Sequence, residues 1–126
     1  MPTVLEPTVD VRVDIAEELL TAPRVERQVT VVLTDFSSSS VYADPEAVLI
    51  CEQTGARSRL LTCTHLELYP GSTLVRDLPE SPCLVFEPLP EDCKSFLLQE
   101  PARRWRTPWV VSGIVRNDRD VYPLAV

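Results

Sequence analysis

Val9, Val11, Val13 and Ile15 alternate with Asp10, Arg12 and Asp14. A period of two puts the aliphatic residues on one face and the charges on the other, which predicts a strand over 9–15. The run AEELLT, from Ala16 to Thr21, is too short for a stable helix without packing and reads as a connection into Pro23. Val25 to Leu33 is rich in β-branched residues and predicts a second strand, closed by Asp35 and the polar loop Ser37 to Ser40. Asp44-Pro45 then opens an apolar run, Ala47 to Cys51, which turns at Thr54-Gly55 and returns through Arg59 to Leu68 as a hairpin.

Pro79, Pro82, Pro88 and Pro90 break any helix through the next stretch, because proline has no N–H and a fixed φ. What remains there is a pair of short strands, Cys83 to Phe86 and Cys93 to Leu98, around the turn PLPED. Trp109 to Val115 and Val121 to Val126 follow, separated by the turn-forming Asn117-Asp118-Arg119-Asp120. Seven or eight short strands, twelve prolines and no amphipathic helix predict an all-β fold. The arrangement expected is a single antiparallel two-sheet sandwich spanning 1–126, with a small closed barrel as the alternative.

Composition fits one ordinary globular domain: 126 residues, 44% hydrophobic and 25% charged. A net charge of −7 argues against general binding to a nucleic-acid backbone, since phosphate contacts need clustered cations. Nothing approaches the roughly 18 apolar residues of a membrane span. The N-terminus lacks the basic start and apolar run of a secretory signal, so a cytoplasmic protein is expected. The start at Met1 suggests a complete small polypeptide, of a size suited to an accessory subunit.

Cys51 and Cys63 flank one predicted turn, and Cys83 and Cys93 flank another. Each pair sits where neighbouring strands would face each other, but a bridge also needs Cα atoms within about 7 Å. Without a secretion signal, small buried thiols are the expected reading. The spacings leave eleven, nineteen and nine residues between successive cysteines, which lack the close ligand pairs of a zinc site. Cys63 and His65 are two apart, and so share one face of a strand. A nucleophile would further need an orienting group and an oxyanion hole. No phosphate loop, G-x-S-x-G or H-E-x-x-H occurs. No metal, cofactor or catalytic residue is expected, and calcium finds no established spacing at Asp35 with Ser37 to Ser40 or at Asn117 to Asp120.

The most informative charge feature lies between Pro101 and Arg119, where five arginines face Asp118 alone in an otherwise acidic chain. Its centre, PARRWRTPW, interleaves Arg103, Arg104 and Arg106 with Trp105 and Trp109. Arg and Trp are enriched at the energetic centres of interfaces, and guanidinium forks pair with carboxylates and stack on rings. These five residues are the candidate partner-binding site.

The stretch CLVFEPLPEDCKSFLLQE, with the later VVSGIVRNDRDVY, resembles small immunoglobulin-like sandwich domains of uncharacterised bacterial proteins. Phe86, Leu89, Phe96, Leu98, Glu100 and Ile114 carry the resemblance. It implies an adhesion, scaffold or subunit-binding module with no catalytic residues. The expected function is therefore a non-enzymatic interaction domain that binds a protein partner, or another copy of itself, through a sheet edge and the Arg/Trp loop. On that reading, replacing Arg103, Arg104 and Arg106 by glutamate abolishes binding without lowering the melting temperature. The alternative is a ligand-binding or hydrolytic β-domain using Cys63 and His65.

Overall fold

Val29, Val31 and Leu33 point inward from the first strand of the sheet, and the residues between them are half-buried. The computed structural model describes residues 27–104 and 106–126. The strand expected over 9–15, the connection after it and Trp105 lie outside the described residues. In chain order the elements are β1 (Val29–Thr34), β2 (Ser40–Val41), β3 (Val48–Cys51), β4 (Arg57–Thr64) and β5 (Thr73–Leu74), then a 3-10 turn, Val75–Asp77. They continue with β6 (Cys83–Phe86), β7 (Ser95–Glu100), β8 (Trp109–Val115) and β9 (Val121–Ala125).

Seven of these strands form one sheet in the order β8-β7-β3-β4-β6-β1-β9, and β2 and β5 form a small second sheet. Every neighbouring pair in the large sheet is antiparallel except β1 and β9. The chain is all-β, as the alternation predicts, and the large sheet is curled until it is nearly closed like a barrel. Its two ends, β8 and β9, are consecutive in sequence and joined through Asn117 to Asp120. Among the described residues, no helix is long and apolar enough to cross a membrane.

The core lies inside the curl. Phe86, Phe96, Leu49, Leu84 and Leu98 are its largest apolar side chains, each essentially shut off from solvent. Burying such a side chain stabilises by roughly 1.5–3 kcal/mol. Tyr122 of β9 meets Phe96 of β7 edge-on, with ring centroids 4.9 Å apart, so the core is shared between the two ends of the sheet.

The connection between those ends is tightly held. Asn117 Oδ1 accepts hydrogen bonds from the amides of Arg119 and Asp120 at 3.0 and 2.7 Å. Asp120, wholly buried, accepts from Arg116 Nε at 2.6 Å and from the Tyr122 hydroxyl at 2.7 Å. Arg27 donates to the Asp118 carbonyl and approaches Asp120 at 3.9 Å, tying the start of β1 to the same turn.

Two irregularities shape the sheet. The register of β4 on β6 shifts between Leu60 and Thr62, and that of β8 on β7 shifts between Val111 and Ile114. Gly113 sits in the second, at φ 71°, with its amide donating to Glu52 Oε2 at 3.1 Å. A Cβ there meets no atom within 4 Å, so the requirement for glycine is one of backbone conformation. The left-handed region costs a branched residue about 1–2 kcal/mol, and Gly113→Val is expected to lower stability to urea by that amount.

The two cysteine pairs do not face one another as the turns had suggested. β6 pairs with β4 and β1, whereas β7 pairs with β3 and β8, so Cys83 and Cys93 flank a crossover between strands that are not neighbours. Cys63 lies opposite Leu84, far along β4 from the hairpin end that holds Cys51. No disulfide joins any of the four.

Candidate functional site

The Arg/Trp segment leaves β7 and feeds β8. Arg103 and Arg106 exchange backbone hydrogen bonds of 2.9 and 3.0 Å, which close a tight turn at the root of the edge strand. Their side chains reach back into the protein. Arg103 places Nε 2.8 Å from Asp44 Oδ2 and Nη2 2.5 Å from Asp44 Oδ1, a bidentate fork on a carboxylate with no exposed surface. Glu46 lies 3.6 Å from the same guanidinium, and the Tyr69 ring centroid 4.5 Å from it. Burial raises the pKa of Asp44, but hydrogen bonds from Arg103 and from the Glu46 amide, with the charges of Arg103 and Arg106, outweigh it and hold the carboxyl below its ordinary value.

Arg106 is held more loosely. Its Nη2 is 3.3 Å from Glu100 Oε1, and its guanidinium lies 5.1 Å from the Tyr42 ring centroid and 5.8 Å from that of Trp109. More than a third of the side chain is exposed, and Glu100 Oε1, though buried, has no hydrogen-bond partner. Arg104 is exposed, and Trp109 is half-buried at the start of β8. Of the five residues expected to bind a partner, then, Arg103 and Arg106 fasten the loop to the domain, Arg104 faces solvent, and Trp109 starts the edge strand. Trp105 is outside the described residues.

Glu100 occupies an inward position on β7, in phase with Phe96 and Leu98. Burial, helped by the charge of Asp44 and opposed by those of Arg106 and Arg103, raises its carboxyl to about 7. The folded chain therefore binds a proton at Glu100 more tightly than the unfolded chain does. Stability is expected to fall as pH rises between about 4.5 and about 7, by up to about 3 kcal/mol relative to Glu100→Gln. Urea unfolding of both proteins across that range measures the difference.

Beside Glu100 a cavity of about 400 Å³ opens where β1 and β9 end and β8 begins. Leu33, Phe36, Tyr42, Trp109 and Arg106 line it with Glu100. The serine loop, expected to be a solvated turn, contributes Ser37, Ser38 and Ser40 to its rim.

Cys63 and His65 acquire different partners. His65 has φ 64°, which ends the alternation that would have kept them on one face. Its Nε2 is 3.1 Å from Glu80 Oε2, while Cys63 Sγ donates to the Leu66 carbonyl at 3.5 Å. Burial pushes the Cys63 thiol up, away from the thiolate a nucleophile needs. The thiols that do influence each other are Cys51 and Cys93, both buried. Burial raises Cys51, but hydrogen bonding to Cys93, Thr54 and Gln53 brings it below its usual value. Burial and the neighbouring Cys51 push Cys93 up to about 12.

Sequence reasoning passed over Asp44, Asp120 and the interior role of Glu100. One signal was present: Glu100 continues the inward period of Phe96 and Leu98, where an apolar residue would be expected. Asp44 and Asp120 lie in turns, where aspartate is ordinarily solvated, and no pattern marked them as buried.

The chain matches no protein-family model, no curated protein and no solved structure.

Proposed function

We propose that this is a non-enzymatic protein-interaction domain that binds a protein partner, or a second copy of itself, through the open edge of β8 and the Arg/Trp loop leading into it. The observation that carries this reading is the state of β8. Among the described residues it hydrogen-bonds to a neighbour on one side only and ends the large sheet, and it exposes half of Val110 and 72% of Val115. An edge strand of this kind offers unpaired backbone groups to which an extended segment of a partner can add.

The loop supplies side-chain specificity beside that edge. Arg103 and Arg106 hold the turn to the domain, and Arg104 and Trp105 are the residues proposed to contact a carboxylate-bearing partner beside Trp109, which begins the augmented strand. Cys63 and His65, which take different partners, do not form a thiol–imidazole pair.

A Val110→Lys/Val115→Lys variant tests the reading, because both side chains are exposed and charge on an edge strand opposes pairing. Affinity capture from the host's lysate, paired with sedimentation velocity of the purified chain, is expected to show a partner or a dimer with the wild type and neither with the variant, at equal melting temperature. Undiminished association of the variant would exclude the β8 edge.

A further inference from the structure

The carboxylate of Glu100 is 94% buried as a side chain, and its Oε1 receives no hydrogen bond. Such an atom ordinarily finds a donor, because leaving a buried acceptor unsatisfied is costly. The nearest cation, Arg106 Nη2, stands 3.3 Å away without hydrogen-bond geometry. Tyr42 and Trp109 stand on the same guanidinium at 5.1 and 5.8 Å, and the cavity of about 400 Å³ continues from it with a lining shared between polar and apolar groups.

Aromatic faces set around a cation are a usual chemistry for holding an organic ammonium, and here a buried carboxylate stands beside the same cation. Here the cation present is the chain's own. A comparison with Arg103 shows how weakly it is held: Arg103 makes two hydrogen bonds to Asp44 and lies 4.5 Å from the Tyr69 ring, with 19% of its side chain exposed. Arg106 makes no side-chain hydrogen bond to Glu100, is farther from both rings and is 38% exposed. Arg106 is thus the more weakly held of the two cations.

We propose that the cavity between the ends of β1, β9 and β8 binds a small organic cation, an amine or guanidine on an apolar body, whose charged head replaces the Arg106 guanidinium at Glu100 between Tyr42 and Trp109. Leu33, Phe36, Val41 and Leu84 receive the apolar body, and the serines at the rim meet whatever polar groups remain outside. The anionic balance of the chain favours a cationic ligand over an anionic one. The site shares Arg106 and Trp109 with the root of β8, while Val110 and Val115, on which the edge reading is tested, do not line it.

The test uses 2-phenylethylamine as probe and Trp109 fluorescence as readout, in a Trp105→Phe background so that one tryptophan reports. The measurement is made at about pH 9, where the amine is still largely protonated, because Glu100, at about 7 beside Arg106 in the parent, rises further when Arg106 is removed. Arg106→Ala vacates the site and is expected to bind the amine roughly tenfold more tightly than the parent, the weight of a desolvated cation–aromatic contact and an ion pair. Adding Glu100→Gln is expected to abolish that gain, and the neutral 2-phenylethanol is expected to show none. Equal or weaker amine binding by Arg106→Ala overturns the proposal, as does a gain that survives Glu100→Gln. The parent protein supplies a measurement independent of variant folding: excess amine is expected to shift the Arg106 Nε–H resonance and leave that of Arg103 in place. An unmoved Arg106 resonance, or equal shifts at both arginines, overturns it as well.

Discussion

Replacing Asp120 by alanine is expected to cost the fold about 3–5 kcal/mol, the loss that follows when one partner of a buried ion pair is removed. Asp120 has no exposed surface, and Arg116 Nε and Nη2 approach its two oxygens at 2.6 and 3.2 Å. Arg116 is 9% exposed and Arg27 only 4%, so both guanidiniums would be left in the interior without their carboxylate. The Tyr122 hydroxyl, which donates to Asp120 and accepts from the Asn117 amide, would lose its acceptor in the same step. Asp120 also has φ 56°, a conformation asparagine tolerates better than alanine. Asp120→Asn therefore isolates the charge from the backbone, and is expected to lose less than Asp120→Ala. A domain of this size has about 5–15 kcal/mol in all, so the alanine variant should unfold at markedly lower urea.

Arg103→Glu is expected to have an effect of the same order, about 3–5 kcal/mol, because it leaves Asp44 buried and sets a second carboxylate against it and Glu46. Arg103→Lys keeps the charge and loses the fork, and is expected to recover part of the loss. Thermal melts of the two variants beside the wild type measure both. The consequence reaches the interaction reading directly. The triple exchange of Arg103, Arg104 and Arg106 for glutamate, which the sequence suggests as a folded non-binding control, is expected to melt early. Loss of binding by that variant would report the Asp44 pair as much as any surface, and the valines of β8 make the cleaner test.

The strands were legible wherever burial on one face dictated the pattern. β6 and β8 have the limits the sequence predicts, and the hairpin of β3 and β4 turns at Thr54-Gly55 with Gly55 at φ 78°. Departures have local causes. β4 ends at Thr64 rather than running to Leu68, because His65 takes a left-handed conformation that period-two reading cannot see. β7 starts two residues late, since the Cys93 amide closes a turn onto the Pro90 carbonyl, and continues to Glu100 opposite Trp109. Pairing was hidden more deeply. Strands next to each other in sequence suggested a hairpin at PLPED, but β6 and β7 lie three places apart in the sheet, a matter of the whole core.

The candidate site was legible in composition and not in direction. An arginine-rich loop in an acidic chain stands out from the sequence, but one of its guanidiniums, that of Arg103, satisfies a buried carboxylate from a distant turn. Arg103 and Asp44 are 59 residues apart, a separation at which no local pattern announces a contact. Their pairing turns half of the apparent binding surface into the framework that presents the rest.

Amide hydrogen exchange along Trp109–Val115, measured for the isolated domain and again in the complex it forms with its partner or second copy, decides whether β8 is the binding edge. On association β8 is expected to gain protection while β4 and β6, already paired on both sides, do not change. Protection gained elsewhere, with β8 exchanging as it does in the isolated domain, would contradict binding through β8.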